Sequence, residues 1–157
     1  MSDKLLLEDG SGYYTLEDGG GVLLLESTPN VSINDGDYDF GVVVNSSTPN
    51  TGLDYFTITN NSGFAVDLSI KATDFVGGVG WTLSDTATPG VNTAGLKAGL
   101  AGDDYNIIVK KTAPFNDLDT SVADSGTVEF GLQLLAPTGV TDGVEKTTTV
   151  TVTAVAS

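Results

Sequence analysis

At 157 residues the chain has room for one domain with a real core plus an appendage, and 21 acidic against 6 basic residues give it a formal net charge of −15. All six basic residues are lysines, and without His, Cys or Arg there is no Ser-His-Asp or Cys-His nucleophile system, no thiolate or imidazole metal site and no arginine clamp. A surface this acidic repels a phosphate backbone, so nucleic acid is a poor partner, and the longest apolar run, near residues 42–44, is far too short to span a membrane.

The first residues carry a repeat. Leu7-Glu8-Asp9-Gly10 returns as Leu16-Glu17-Asp18-Gly19 and, degraded, as Leu25-Glu26-Ser27. The step fits a short strand plus a tight turn, because the Asp-Gly and Gly-Gly stretches between the apolar runs supply the positive φ that hairpin turns need. Residues 5–8, 13–17 and 22–26 are therefore expected to form a three-stranded meander spanning 1–29. Side chains alternate along a strand, so Leu5 and Leu7 face opposite to Leu6, and Leu23 and Leu25 opposite to Leu24. Apolar residues on both faces require cover on both faces. The arm is accordingly expected to need a partner surface, its own body or another protein, with Leu5, Leu6, Leu7, Tyr13, Tyr14, Leu16, Leu23, Leu24 and Leu25 as the assembly interface.

Residues 27–30 read as a connector, and 31–33 alternate briefly. Asn34-Asp35-Gly36-Asp37-Tyr38-Asp39 then crowds three carboxylates into one turn. Oxygen ligands at alternate positions suit calcium, which makes Asp35, Asp37 and Asp39 the candidate ligands. The twelve-residue loop with its closing Glu is missing, and Asp, Asn and Gly favour turns for backbone reasons, so a solvated turn without metal is expected.

Residues 40–45 form a continuous apolar run, expected to be a central strand covered on both sides. Residues 53–60 and 64–72 flank Asn60-Asn61-Ser62-Gly63 and read as a hairpin, with Phe64, Val66, Leu68 and Ile70 on one face. Residues 79–84 carry the only tryptophan, Trp81, expected as a core filler. The stretch 94–102 is rich in small residues and carries little signal. Residues 105–111 read as a strand whose register stays open between Ile107 with Val109 and Ile108. Residues 114–125 look like an acidic excursion, a loop or a contact segment. Residues 127–135 and 147–154 close the domain, the second with Val150, Val152 and Ala154 on one face.

These strands, at this spacing, predict an all-β fold with residues 30–157 as a β-sandwich behind the β-meander arm. The order Phe56-Thr-Ile-Thr-Asn-Asn-Ser-Gly63, a Val-Asp-Leu-Ser-Ile strand, Gly80-Trp81-Thr-Leu and a final Thr-Val-Thr-Val-Thr-Ala resembles bacterial and viral immunoglobulin-like sandwiches over about residues 31–155. The repeats beginning Leu5-Leu-Leu-Glu-Asp-Gly-Ser-Gly12 resemble those near the ends of tailed-phage structural proteins. Together the two resemblances imply a virion component assembled in the host cytoplasm, which fits the lack of a secretory pattern after Met1. The implied role is a capsid decoration or cement protein held by its arm to the major capsid protein or other virion subunits, with self-association. A tail-tube or tail-tip subunit is the alternative within that class, and an exported cell-surface or filament-forming protein the alternative outside it. For an enzyme only carboxylate chemistry remains. Glu129 is the acid placed on a strand, with Lys146 as a prospective cross-strand partner. No catalytic residue and no cofactor is expected.

Overall fold

The computed structural model describes residues 4–6, 13–15 and 28–157, which form eleven strands and no helix. β1 (Lys4–Leu6) and β2 (Tyr13–Thr15) pair antiparallel, Leu5 opposite Tyr14, as a sheet of their own. The expected arm strand at 22–26, and Leu7, Leu16, Leu23, Leu24 and Leu25, lie outside the described residues. The body runs β3 (Val31–Ile33), β4 (Phe56–Asn60), β5 (Val66–Ala72), β6 (Thr82–Leu83), β7 (Thr93–Leu100), β8 (Ile107–Ile108), β9 (Asn116–Val122), β10 (Thr127–Leu135) and β11 (Val150–Ala156). One sheet has the order β3-β4-β10-β7-β6, with β8 also on β7, and the other the order β11-β5-β9. The two pack face to face as a β-sandwich.

Alternation builds the core. In β5, Val66, Leu68, Ile70 and Ala72 are buried while Asp67, Ser69 and Lys71 lie between them toward the outside. Opposite them β4 contributes Phe56 and Ile58, and β10 contributes Val128, Phe130, Leu132 and Leu134. Each fully buried side chain of this size contributes roughly 1.5–3 kcal/mol.

Residues 53–60 and 64–72 do not form a hairpin. β4 pairs with β3 and β10, β5 pairs with β11 and β9, and the turn at 60–66 carries the chain from one sheet to the other. A turn of this length can join strands within a sheet or across a sandwich, and periodicity does not distinguish the two. Residues 40–45 are not a strand either. Gly41 (φ 64°) and Ser46 (φ 59°) take left-handed conformations at either end, and Val42 is 98% exposed. The small-residue stretch 94–102 holds β7, a central strand, and the acidic stretch 114–125 holds β9, an edge strand that turns Leu118 and Val122 inward. The open register at 105–111 resolves with Val109 fully buried and Ile107 packed against the core.

β7 is rich in small residues because its outer face is covered as well. Gly99 and Gly131 are cross-strand neighbours, and a Cβ on Gly131 would sit 1.7 Å from the Gly52 carbonyl oxygen, so only glycine admits this approach. Residues 47–51 run beside the last part of β10, beyond the point where β4 begins. Leu134 N donates to Pro49 O, Thr51 N to Leu132 O and Leu132 N to Thr51 Oγ1, each at 2.9 Å. This strap completes the sheet that β4 leaves short.

Candidate functional site

The connections gather at two ends. The arm joins the body at the proximal end, where Val31 pairs with Asn60 and Ser62 Oγ donates to Asn30 O at 3.1 Å. β11 finishes at the same end, with Ser157 N on Ala65 O. Asn60, at 0% exposure, holds this end together. Its amide donates to Phe64 O (2.8 Å) and Val122 O (2.9 Å), and its carbonyl accepts from Ser62 N (3.0 Å). A buried amide survives only when paired this fully, so one side chain ties both sheet-to-sheet turns, 60–66 and 122–127.

At the distal end the 138–147 loop carries its neighbours. Asn92 N donates to Gly139 O, Val76 bridges to Thr147, and Val79 N donates to Asp142 Oδ2 at 2.5 Å. Lys146, whose side chain is 4% exposed, donates to Asp142 at 2.6 Å and to Val144 O at 2.9 Å, and lies over the Trp81 ring at 5.9 Å. Donation from Lys146, then from Val79 N, holds the Asp142 carboxyl below its usual pKa. Trp81, expected as a core filler, is half-buried and packs against the edge of the core and Phe75, and its indole N–H has no hydrogen-bond partner among the described residues. Nearby, Asp74 is held low by Lys111 and then by Leu83 N, and Asp85 by the Thr112 hydroxyl and then by the amides of Lys111 and Thr112. Around these ties Val76, Val79, Val91 and Val144 are exposed, as are Val42 and Val44 on the 40–46 segment.

The acidic turn packs on tyrosines. Tyr55 donates to Asp35 Oδ2 at 3.2 Å, Asp35 Oδ1 accepts from Asp37 N, Asp39 Oδ1 accepts from Gly41 N at 2.7 Å, and Tyr38 donates to Asn50 O at 3.3 Å. Edge-to-face contacts then run from Tyr38 through Tyr55 to Phe56, whose ring stacks on Phe130 in the core. Burial, then the Asp35 charge, pushes the Tyr55 hydroxyl above its usual pKa. Among the described residues no three acidic side chains converge as metal ligands, and the carboxylates of Asp35 and Asp39 are taken up by local donors.

Glu129 lies exposed on β10 opposite Thr57 and, with Asp119, lines a shallow open groove bounded by Leu100, Ala101, Thr127 and Val128. Lys146 is not its partner, being committed to Asp142. Of the expected assembly residues, Leu5, Leu6, Tyr13 and Tyr14 fall in β1 and β2. Sequence reasoning passed over Asn60 and Asp142. The one signal pointing to them was their place in turn-forming Asn-Asn-Ser-Gly and Thr-Asp-Gly stretches. No family model matches the chain, and neither the curated proteins nor the solved structures include a significant match to it.

Proposed function

We propose that the chain is a non-enzymatic structural subunit of a phage virion, a capsid decoration or cement protein whose sandwich is anchored through its N-terminal arm. The observation that carries this reading is the separation of the two parts: β1 and β2 pair with each other rather than with the body, and the connector enters at the end opposite the exposed loops. An element that leaves its own domain's sheets unextended, in a chain with seven leucines before residue 26, is suited to another subunit's surface. The strand order supports an immunoglobulin-like arrangement, with β9 beside β5 as an addition to it. β3-β4-β10-β7 follows the A-B-E-D order of that fold, and β5 beside β11 follows C beside F. A passive role is supported by carboxylates held low by hydrogen bonds at Asp67, Asp74, Asp85 and Asp142, the reverse of the raised pKa a general acid requires.

The reading expects a coat protein to be encoded beside this gene, and the test is co-expression with it, followed by particle purification and a density map. The wild-type chain is expected on the particles. The Leu6→Asp/Leu24→Asp variant, folded by circular dichroism, is expected to remain in the soluble fraction. A wild-type chain absent from the particles overturns the reading.

A further inference from the structure

The second sheet has two edges of opposite character. β9 carries Asp117 and Asp119, is bulged twice against β5, and places Ser121 at φ 55°. Charges and bulges are the usual means of blocking strand addition. β11, Val150–Ala156, has no charge, no proline and no bulge over seven residues. Thr73 N donates to Thr149 O and Ser157 N to Ala65 O, so the odd-numbered residues bond to β5. By the alternation of an antiparallel ladder, the N–H and C=O groups of Val150, Val152, Ala154 and Ala156 point outward, where no strand of the described residues pairs with them. The seam beneath is also incompletely closed. Val150, Val152 and Ala154 face inward yet remain half-buried, whereas their β5 neighbours Ala72, Ile70 and Leu68 are 0–5% exposed. In the immunoglobulin order this is the place beside F that a G strand fills.

Resting on the assembly reading above, we infer that β11 accepts the β1–β2 arm hairpin of a second copy as an added strand, linking copies head to tail. Three observations select this occupant. Among the described residues no third strand pairs with the hairpin, which leaves its outer strand edges open. The arm is acidic, with Glu8, Asp9, Glu17, Asp18 and Glu26, so β9 with its aspartates repels it while the uncharged β11 does not. Leucine is the side chain needed over the half-closed seam at Val150, Val152 and Ala154.

The experiment is sedimentation of the full chain over a concentration series. Wild type is expected to associate. Ala154→Pro removes one outward N–H and no bond to β5, and is expected to weaken association about tenfold or more while leaving the melt cooperative. Thr151→Glu/Thr153→Glu, at exposed positions, gives β11 the kind of charge β9 carries and is expected to do the same. Leu6→Asp/Leu24→Asp spoils the arm but keeps the edge, so mixing it with Ala154→Pro is expected to restore dimers and no larger species. A monomeric wild type, or a mixture that stays monomeric, overturns the inference. If both edge variants associate like wild type while the arm variant does not, β11 is overturned as the acceptor and the arm reading stands. If the arm variant also associates normally, the arm is overturned as the element that joins copies, while its anchoring to a coat protein is decided by the particle experiment.

Discussion

At the proximal end the chain changes sheets through short turns centred on a buried neutral amide, Asn60, whereas at the distal end long loops lean on carboxylates: Asp142 for the 75–81 and 138–147 loops, Asp74 and Asp85 for residues 83 and 111–112. The centre of the proximal fastening, Asn60, carries no charge and does not titrate, although Asp124, accepting from Gly63 N, and Asp67, accepting from Ser121 N and Ser157 Oγ, flank it. The distal one depends on ionised groups near the surface and leaves valines uncovered. The end that receives both termini of the sandwich is thus centred on a tie that acid does not reach, whereas the far end rests on carboxylates.

Asn60→Ala should break the first half of that comparison most severely. It strands the Phe64 and Val122 carbonyls and the Ser62 amide in a buried site, and about 3 kcal/mol of unfolding free energy is expected to be lost in a denaturant titration. A loss under about 1 kcal/mol would show that the proximal turns hold without it. Gly131→Ala comes next. Its Cβ meets the Gly52 carbonyl, so the strap at 47–52 must move, at about 1–3 kcal/mol, with hydrogen-exchange protection falling at the Thr51 and Leu132 amides. Unchanged protection there would mean that the sheet, not the strap, yields.

Acid sharpens the contrast between the ends. Asp74, Asp85 and Asp142 have folded pKa values below the ordinary value of about 3.9, so their contribution is complete above about pH 4 and is lost as the pH falls through the folded values. Protection of the Val79, Leu83, Lys111 and Thr112 amides is expected to fall in that range before that of Ser62, which is bonded to an amide that does not titrate. Simultaneous loss would erase the distinction between the Asn60 tie and the carboxylate ties. The smallest effect belongs to Val42→Thr and Val91→Thr, which should each shift stability by less than about 0.5 kcal/mol because both side chains are already in water.

The residues that made parts of this fold legible are those whose two faces differ. β5 and β11 alternate, and β10 was located at residues 127–135 as found, because one face meets the core and the other does not. β7 was unreadable for the opposite reason: Ala87 lies over Gly95, and Leu53 and Asp104 lie over Gly99, so its outer face is covered and glycine stands where larger residues would clash. β9 hid behind its charges, which serve its edge position. Val42-Val43-Val44 misled because an apolar run specifies burial only where the backbone stays extended, and Gly41 and Ser46 end it. Asn60 stayed invisible as a keystone because its partners Phe64 and Val122 are set by topology, and Asp142 because Val79 lies 63 residues away.

The strap also bears on how quickly the molecule forms. Thr51 and Leu132 are 81 positions apart and Asn60 and Val122 are 62 apart, so neither end of the first sheet can close until most of the chain is available. Closing loops of that length costs about 4 kcal/mol of chain entropy before any contact compensates, which places such a fold among the slower ones, in milliseconds to seconds. On a ribosome the leucine-rich arm emerges before the sandwich and β11 after every other described strand. The arm is therefore exposed while the body is still incomplete, and its proposed acceptor edge appears only when the sandwich behind it is ready.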